Sequence, residues 1–189
     1  MNKGYNHTDQ DLVARCRKGE PDAQFMLYKQ YSKAMYNIAI RLTNNRMDAE
    51  DILQDSFITA FEKLPGLVST ESFASWLKRI VINRCIDQVR RNRMVFETID
   101  EDLHDSPDND EETEIDIGPE VVHEAIRNLP DGGRTVLVLY ALEGYRHREI
   151  AGMLGISEST SKTQYKRAIE LLNKDLKNRI YAEQSGRIS

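Results

Sequence analysis

The chain has 189 residues, 40% hydrophobic and 30% charged, with a formal net charge of −5, a length and balance that fit one large or two small soluble domains. No apolar run approaches the ~20 residues of a membrane span, and "MNKGYNHTDQ" lacks the apolar core of a signal peptide. Cys16 and Cys85 stand apart, without zinc or disulfide spacing, so a cytoplasmic protein without metal or cofactor is expected.

Tyr28, Tyr31, Met35, Ile38 and Leu42 recur at alternating three and four residues, which predicts a helix with one inward stripe. "NNRMD" breaks that run, and Asp48 is expected to cap the next helix. There Ala49, Leu53, Phe57, Ala60, Phe61 and Leu64 mark the buried face, and Pro65 with Gly66 ends it. A third helix is predicted from near Ser72, carrying Phe73, Trp76, Leu77, Ile80 and Val81 into the core. Trp76 sits in that apolar stripe, so packing is favoured over a role as a stacking platform.

The charge is unevenly spread. Residues 96–119 hold eleven acids and no Lys or Arg, whereas residues 1–95 hold fifteen bases against eleven acids and residues 120–189 eleven against nine. An acidic segment without apolar periodicity therefore separates two mildly basic bodies, and it reads as a flexible, self-repelling linker over 96–118. "DSPDND" lacks the alternating ligands and central glycine of a calcium loop.

The second body opens at Pro119, a good first-turn residue. One helix is predicted to Leu129, a turn at "PDGG", and another helix over "RTVLVLYALEG". In "HREIAGMLGISESTSKTQYKRAIELL", Ile150, Ala151 and Leu154 form an inward face, "GIS" is a turn, and Ser157 is a natural N-cap. At 100° per residue, Tyr165, Ala168, Ile169 and Leu172 share one side with Ser161. Ser159, Thr160, Thr163, Lys166 and Arg167 fall opposite, with Lys162 and Gln164 on the flanks. Helix, short glycine turn and helix is the helix-turn-helix arrangement, whose second helix enters the major groove. A helical hairpin with a solvated face fits the same pattern. No alternating strand pattern of useful length is present, so the expected fold class is all-α: two small helical domains, the second with a helix-turn-helix.

The whole chain resembles the extracytoplasmic-function sigma factors, a two-domain class of bacterial RNA polymerase initiation factors. The residues that match are "YKQYSKAMYNIAIRLTNNRMDAEDILQDSFITAFEKL", "SFASWLKRIVINRCIDQVRR" and "NLPDGGRTVLVLYALEGYRHREIAGMLGISESTSK", in family order around the acidic segment. The resemblance implies an N-terminal sigma domain over 1–95, the linker, a C-terminal sigma domain over 119–180 and a tail over 181–189. It implies that Asp48, Glu50, Asp51, Gln54 and Asp55 dock on core polymerase. From residue chemistry alone, those acids read as a solvated helix face. It further implies that "PGLVSTES" and the helix after it read and melt the minus-ten element. There Lys78, Arg79, Arg84, Arg90 and Arg91 would supply cations and Asn83 a donor and acceptor. The minus-thirty-five element would be read as duplex by Ser159, Thr160, Lys162, Thr163, Gln164, Lys166 and Arg167. Partners implied are core polymerase, promoter DNA and an anti-sigma protein, with no small-molecule substrate and no direct membrane insertion.

Departures from the family pattern are Ser161 for a frequent Val, Gln164 for Arg, Tyr165 for Leu, and Arg146 for a Ser or Thr cap. These leave base preference open and the fold intact. Two other functions compete. A stand-alone helix-turn-helix regulator would usually dimerise, yet no heptad seam is seen and the first body would go unexplained. An enzyme would need a nucleophile motif, a phosphate loop or paired ligands, and His7, His104, His123 and His147 are scattered.

Overall fold

In the computed structural model, residues 9–66, 72–96 and 118–186 are described, with side chains through 91 and 180 in the last two stretches. Residues 97–117 of the expected linker, most of the "PGLVSTES" loop and residues 187–189 of the expected tail lie outside them. The described residues contain helices and no strand. The chain falls into two compact units, Met1–Val89 and Arg90–Ser189, and no described helix is long and apolar enough to cross a membrane.

In the first unit α1 (Asp9–Arg17) packs on α2 (Pro21–Thr43), which packs along α3 (Arg46–Lys63). Pro21 starts α2 where no backbone donor is needed. Two adjacent asparagines then divide the labour of the α2–α3 corner. Asn44 adopts a left-handed conformation (φ 52) that ends α2, a geometry asparagine tolerates better than most residues. Asn45 caps α3, its side chain accepting from the backbone N–H of Met47 at 2.9 Å and Asp48 at 3.3 Å. The cap expected at Asp48 therefore falls three residues earlier; Asp48 is in the first turn, where its charge still suits the helix dipole. α4 (Phe73–Phe96) starts behind Ser72, whose Oγ accepts from Ser75 N at 3.2 Å.

The core joins Leu27, Met35, Ile38 and Leu42 to Leu53, Phe57, Ala60 and Leu64, with Phe73, Leu77, Val81 and Cys85 from α4. The predicted stripe is shifted at its edges. Tyr28 is exposed at the rim with its ring edge-on to Phe57 at 4.8 Å, and Phe61, Trp76 and Ile80 are half-buried. The Trp76 ring is tilted against Phe73, their centroids 6.1 Å apart.

In the second unit α5 (Pro119–Arg127), α6 (Asp131–Leu137) and α7 (His147–Leu154) all pack on the long α8 (Glu158–Gly186). "DGG" forms the first turn of α6 instead of the predicted bend. Gly133 is buried there because α8 passes close by: a Cβ at that position would stand 3.2 Å from Ala168 Cβ. α6 ends in a π-helical turn, Val138–Leu142, where Glu143 N bonds back to Val138 O at 3.0 Å. Arg134, 2% exposed, is held through its two terminal nitrogens by the Leu129 carbonyl at 2.9 Å and Asp131 at 2.5 Å, while its buried Nε has no partner among the described residues.

Candidate nucleic-acid interface

The turn between α7 and α8 is built by its own residues. Gly155 closes α7 in the left-handed region (φ 68), and the N–H of Ile156 returns to the Ala151 carbonyl at 3.1 Å. Ser157 then caps α8, its Oγ accepting from Thr160 N at 2.9 Å. At the other end of α7, Glu149 accepts from Arg146 N at 2.8 Å. The reciprocal half of a capping box is missing because a guanidinium has no acceptor. Ile150, Ala151 and Leu154 are buried as their spacing predicts.

On α8 the two faces separate as drawn from the sequence. Ser161 and Ala168 are buried, and Tyr165, Ile169 and Leu172 are half-buried. Ser159, Thr160, Lys162, Thr163, Lys166 and Arg167 are exposed, while Gln164 is half-buried, its backbone carbonyl lying beside Gly133 of α6. The hydroxyls are not idle. Ser159 and Thr160 both bond Ser157 Oγ, at 2.7 and 2.8 Å, and Thr163 donates to the Ser159 carbonyl at 3.0 Å. Lys162 pairs with Glu158 at 2.7 Å, a bond that lowers the carboxyl below its usual range. Lys166 stands 3.8 Å from Glu170.

On α3, Asp51, Gln54 and Asp55 are exposed, and Asp48 and Glu50 are half-buried. Glu50 pairs with Arg46 at 2.8 Å. The same face carries two apolar residues that sequence reasoning passed over, Met47 at 74% and Ile58 at 56% exposed. Met47, Asp51, Gln54 and Ile58 follow at four, three and four residues, one helical stripe. Apolar spacing on the polar side was the available signal.

α4 gathers part of the expected minus-ten set. Arg79, Asn83 and Arg90 lie on one exposed stripe, and Asp87 sits in its middle. Arg91 is exposed to one side, while Lys78 and Arg84 are half-buried. Arg84 is drawn to α3: its guanidinium donates to Asp55 at 3.1 Å and to Thr59 at 2.7 Å. One residue expected to track DNA and one expected to dock polymerase are thus bonded to each other.

The family model described as Sigma-70 region 2 matches residues 27–94, and that described as Sigma-70, region 4 matches residues 120–172. The extracytoplasmic-function (ECF) RNA polymerase sigma factor SigM of Mycobacterium tuberculosis is 29% identical over 164 residues, covering 87% of this chain and 82% of that one. SigW of Bacillus subtilis is 28% identical, covering 88% and 95%. Among solved structures, the sigma factor RpoE from Bartonella quintana in complex with the anti-sigma factor NepR superimposes with a TM-score of 0.51 at 24% identity, covering 80% and 95%. CnrH in complex with the cytosolic domain of CnrY gives the same TM-score and identity, covering 90% and 97%. Those two likenesses show the shared all-α fold. With a region 2 domain and a region 4 domain in family order, the chain belongs to the extracytoplasmic-function sigma factors of the sigma-70 family. It is a transcription initiation factor, not an enzyme, and its partners are core RNA polymerase and promoter DNA.

Proposed function

We propose that this sigma factor divides its work among three surfaces. Residues 1–95 dock on core polymerase and open the minus-ten element, residues 119–180 read the minus-thirty-five element as duplex, and the acidic segment 96–118 links them. The observation that carries the reading is α8 itself: one face is locked onto α6 and α7, and the opposite face offers Ser159, Thr160, Lys162, Thr163, Lys166 and Arg167 to solvent. Gln164, at the boundary, is the candidate for two bonds to an adenine edge. Lys162, Lys166 and Arg167 suit phosphates, the two lysines by exchanging Glu158 and Glu170 for them.

Docking falls to Asp48, Glu50, Asp51, Gln54 and Asp55, with Met47 and Ile58 adding an apolar component at each end of the stripe. Arg79, Asn83 and Arg90 follow the opened strand, flanked by Lys78, Arg84 and Arg91. The factor works in the cytoplasm beside its polymerase. By likeness to RpoE, which was solved with NepR, an anti-sigma protein is its expected inhibitor.

The test is run-off transcription by holoenzyme on promoters varied in the upstream element. Gln164→Ala should relax preference at one base by ~1–3 kcal/mol, whereas Lys166→Ala should weaken all promoters alike and flatten the salt dependence. Asp51→Lys with Asp55→Lys should stop the chain co-eluting with core polymerase. Unchanged promoter ranking by Gln164→Ala removes its base-reading role, and unchanged co-elution removes the docking face.

A further inference from the structure

A side-chain hydrogen bond and an aromatic cluster tie the first turns of α8 to α7 and the π-helical turn. Ser161 has 0% exposure, and its hydroxyl shares a 3.0 Å hydrogen bond with Nδ1 of His147, the first residue of α7. The His147 ring lies flat on Tyr140 of the π-helical turn, centroids 4.3 Å apart and planes within 13°. Tyr165 of α8 closes the cluster, 4.7 Å from the Tyr140 ring and 5.7 Å from His147. One imidazole therefore touches the element before α7 and two successive turns of α8.

We propose that His147 is a positioning residue for promoter reading: through Ser161 and Tyr165 it fixes the angle at which α8 leaves the turn and presents residues 159–167. The inference rests on the proposed reading of duplex DNA by α8. A buried hydroxyl without a partner is costly, so the bond gives the α7–α8 junction one geometry where a wholly apolar contact would admit several. Without His147, the Ser161 hydroxyl must fall back on the Ser157 carbonyl one turn earlier. That carbonyl already accepts from Ser161 N at 3.0 Å, and back-bonding of this kind bends helices. The bend would fall beneath Thr160, Thr163 and Gln164. Base contacts tolerate little displacement, whereas the phosphate contacts of Lys162, Lys166 and Arg167, made at the ends of long flexible side chains, tolerate more.

The experiment uses holoenzyme and a panel of promoters that differ in the upstream element. His147→Phe keeps a ring against Tyr140 and removes the bond to Ser161. A loss of folded protein scales every promoter alike, so the decisive quantity is the ratio of affinities between the best and the substituted elements. Discrimination should fall roughly three- to ten-fold, a fraction of what a good base contact provides, with the salt slope unchanged because no phosphate contact is lost. Ser161→Ala placed in the His147→Phe background removes the stranded hydroxyl and should restore most of the discrimination. Full discrimination by His147→Phe overturns the inference, as does a double variant no better than the single one. A salt slope reduced by about one also overturns it, since His147 would then touch phosphate directly. Wild-type holoenzyme that fails to discriminate would remove the base reading of α8 together with this inference. Discrimination by wild type that His147→Phe keeps would remove this inference alone.

Discussion

Cys85 lies fully buried in α4 at the centre of the first unit, and burial pushes its thiol from an ordinary 9.0 up to about 12. The folded state holds the proton that the unfolded chain releases more easily. Stability from this source is therefore complete below pH 9 and is lost as pH rises toward 12. The Tyr31 hydroxyl, raised from 10.0 to about 12 by burial and by donating to Asp9, adds a second loss above pH 10. Cys85→Ala removes the first loss and keeps the second. At neutral pH that variant should be less stable by about 1 kcal/mol, the cost of a small cavity. Denaturant unfolding followed from pH 8 to 11 should then show the gap closing and, toward pH 11, reversing in favour of the variant. Parallel curves across that range would mean that the thiol does not titrate with folding.

At the scale of elements, the bond from Arg84 on α4 to Asp55 and Thr59 on α3 decides what each helix can offer a partner. The pair is solvated on both sides, with side-chain exposures of 36% and 61%, so its net contribution to stability is under about 1 kcal/mol. Arg84→Ala should therefore leave the unfolding midpoint of the first unit nearly unchanged. If Arg84 tracks the opened strand, the same variant should lower promoter opening several-fold at high salt, measured by permanganate reactivity of unpaired thymines. A large drop in stability with normal opening would make Arg84 a structural tie. This pair was not legible in the sequence: 29 positions separate its members, and helical periodicity orders contacts only within an element. The helix-turn-helix was legible because its signals are local, with Gly155 supplying the left-handed cap and Ser157 the next start. Signals near each other competed less cleanly at the α3 start, where Asn45 and Asp48 both suit the first turn and backbone geometry favours Asn45. "DGG" misled for a different reason. Gly133 answers a steric demand from Ala168 across the unit, and a glycine required by packing looks like a glycine required by a bend. His147, dismissed as a scattered histidine, acquires a partner only when α7 folds onto α8.

For the whole molecule the governing feature is the segregation of charge. Two mildly basic bodies are separated by eleven acids in 96–119. Like charges at that density, without apolar periodicity, give the segment little to gain from collapse, so we expect it to be the first part of the free chain that a protease reaches. The choice of protease matters. No Lys or Arg lies between Arg93 and Arg127, whereas Glu97, Glu101, Glu111, Glu112 and Glu114 all fall in the acidic stretch. A trypsin digest is therefore blind to the linker, and a glutamate-specific protease samples it five times. Brief digestion of the free chain with the latter should yield two fragments that separate without denaturant and each retain helical circular dichroism. Cleavage at Glu50 or Glu62 in α3, or at Glu149 in α7, requires local unfolding of a packed helix and should follow much later. Early cuts at those three positions would contradict a division into two independently folded bodies. The acidic stretch would then have to be treated as part of one cooperative fold.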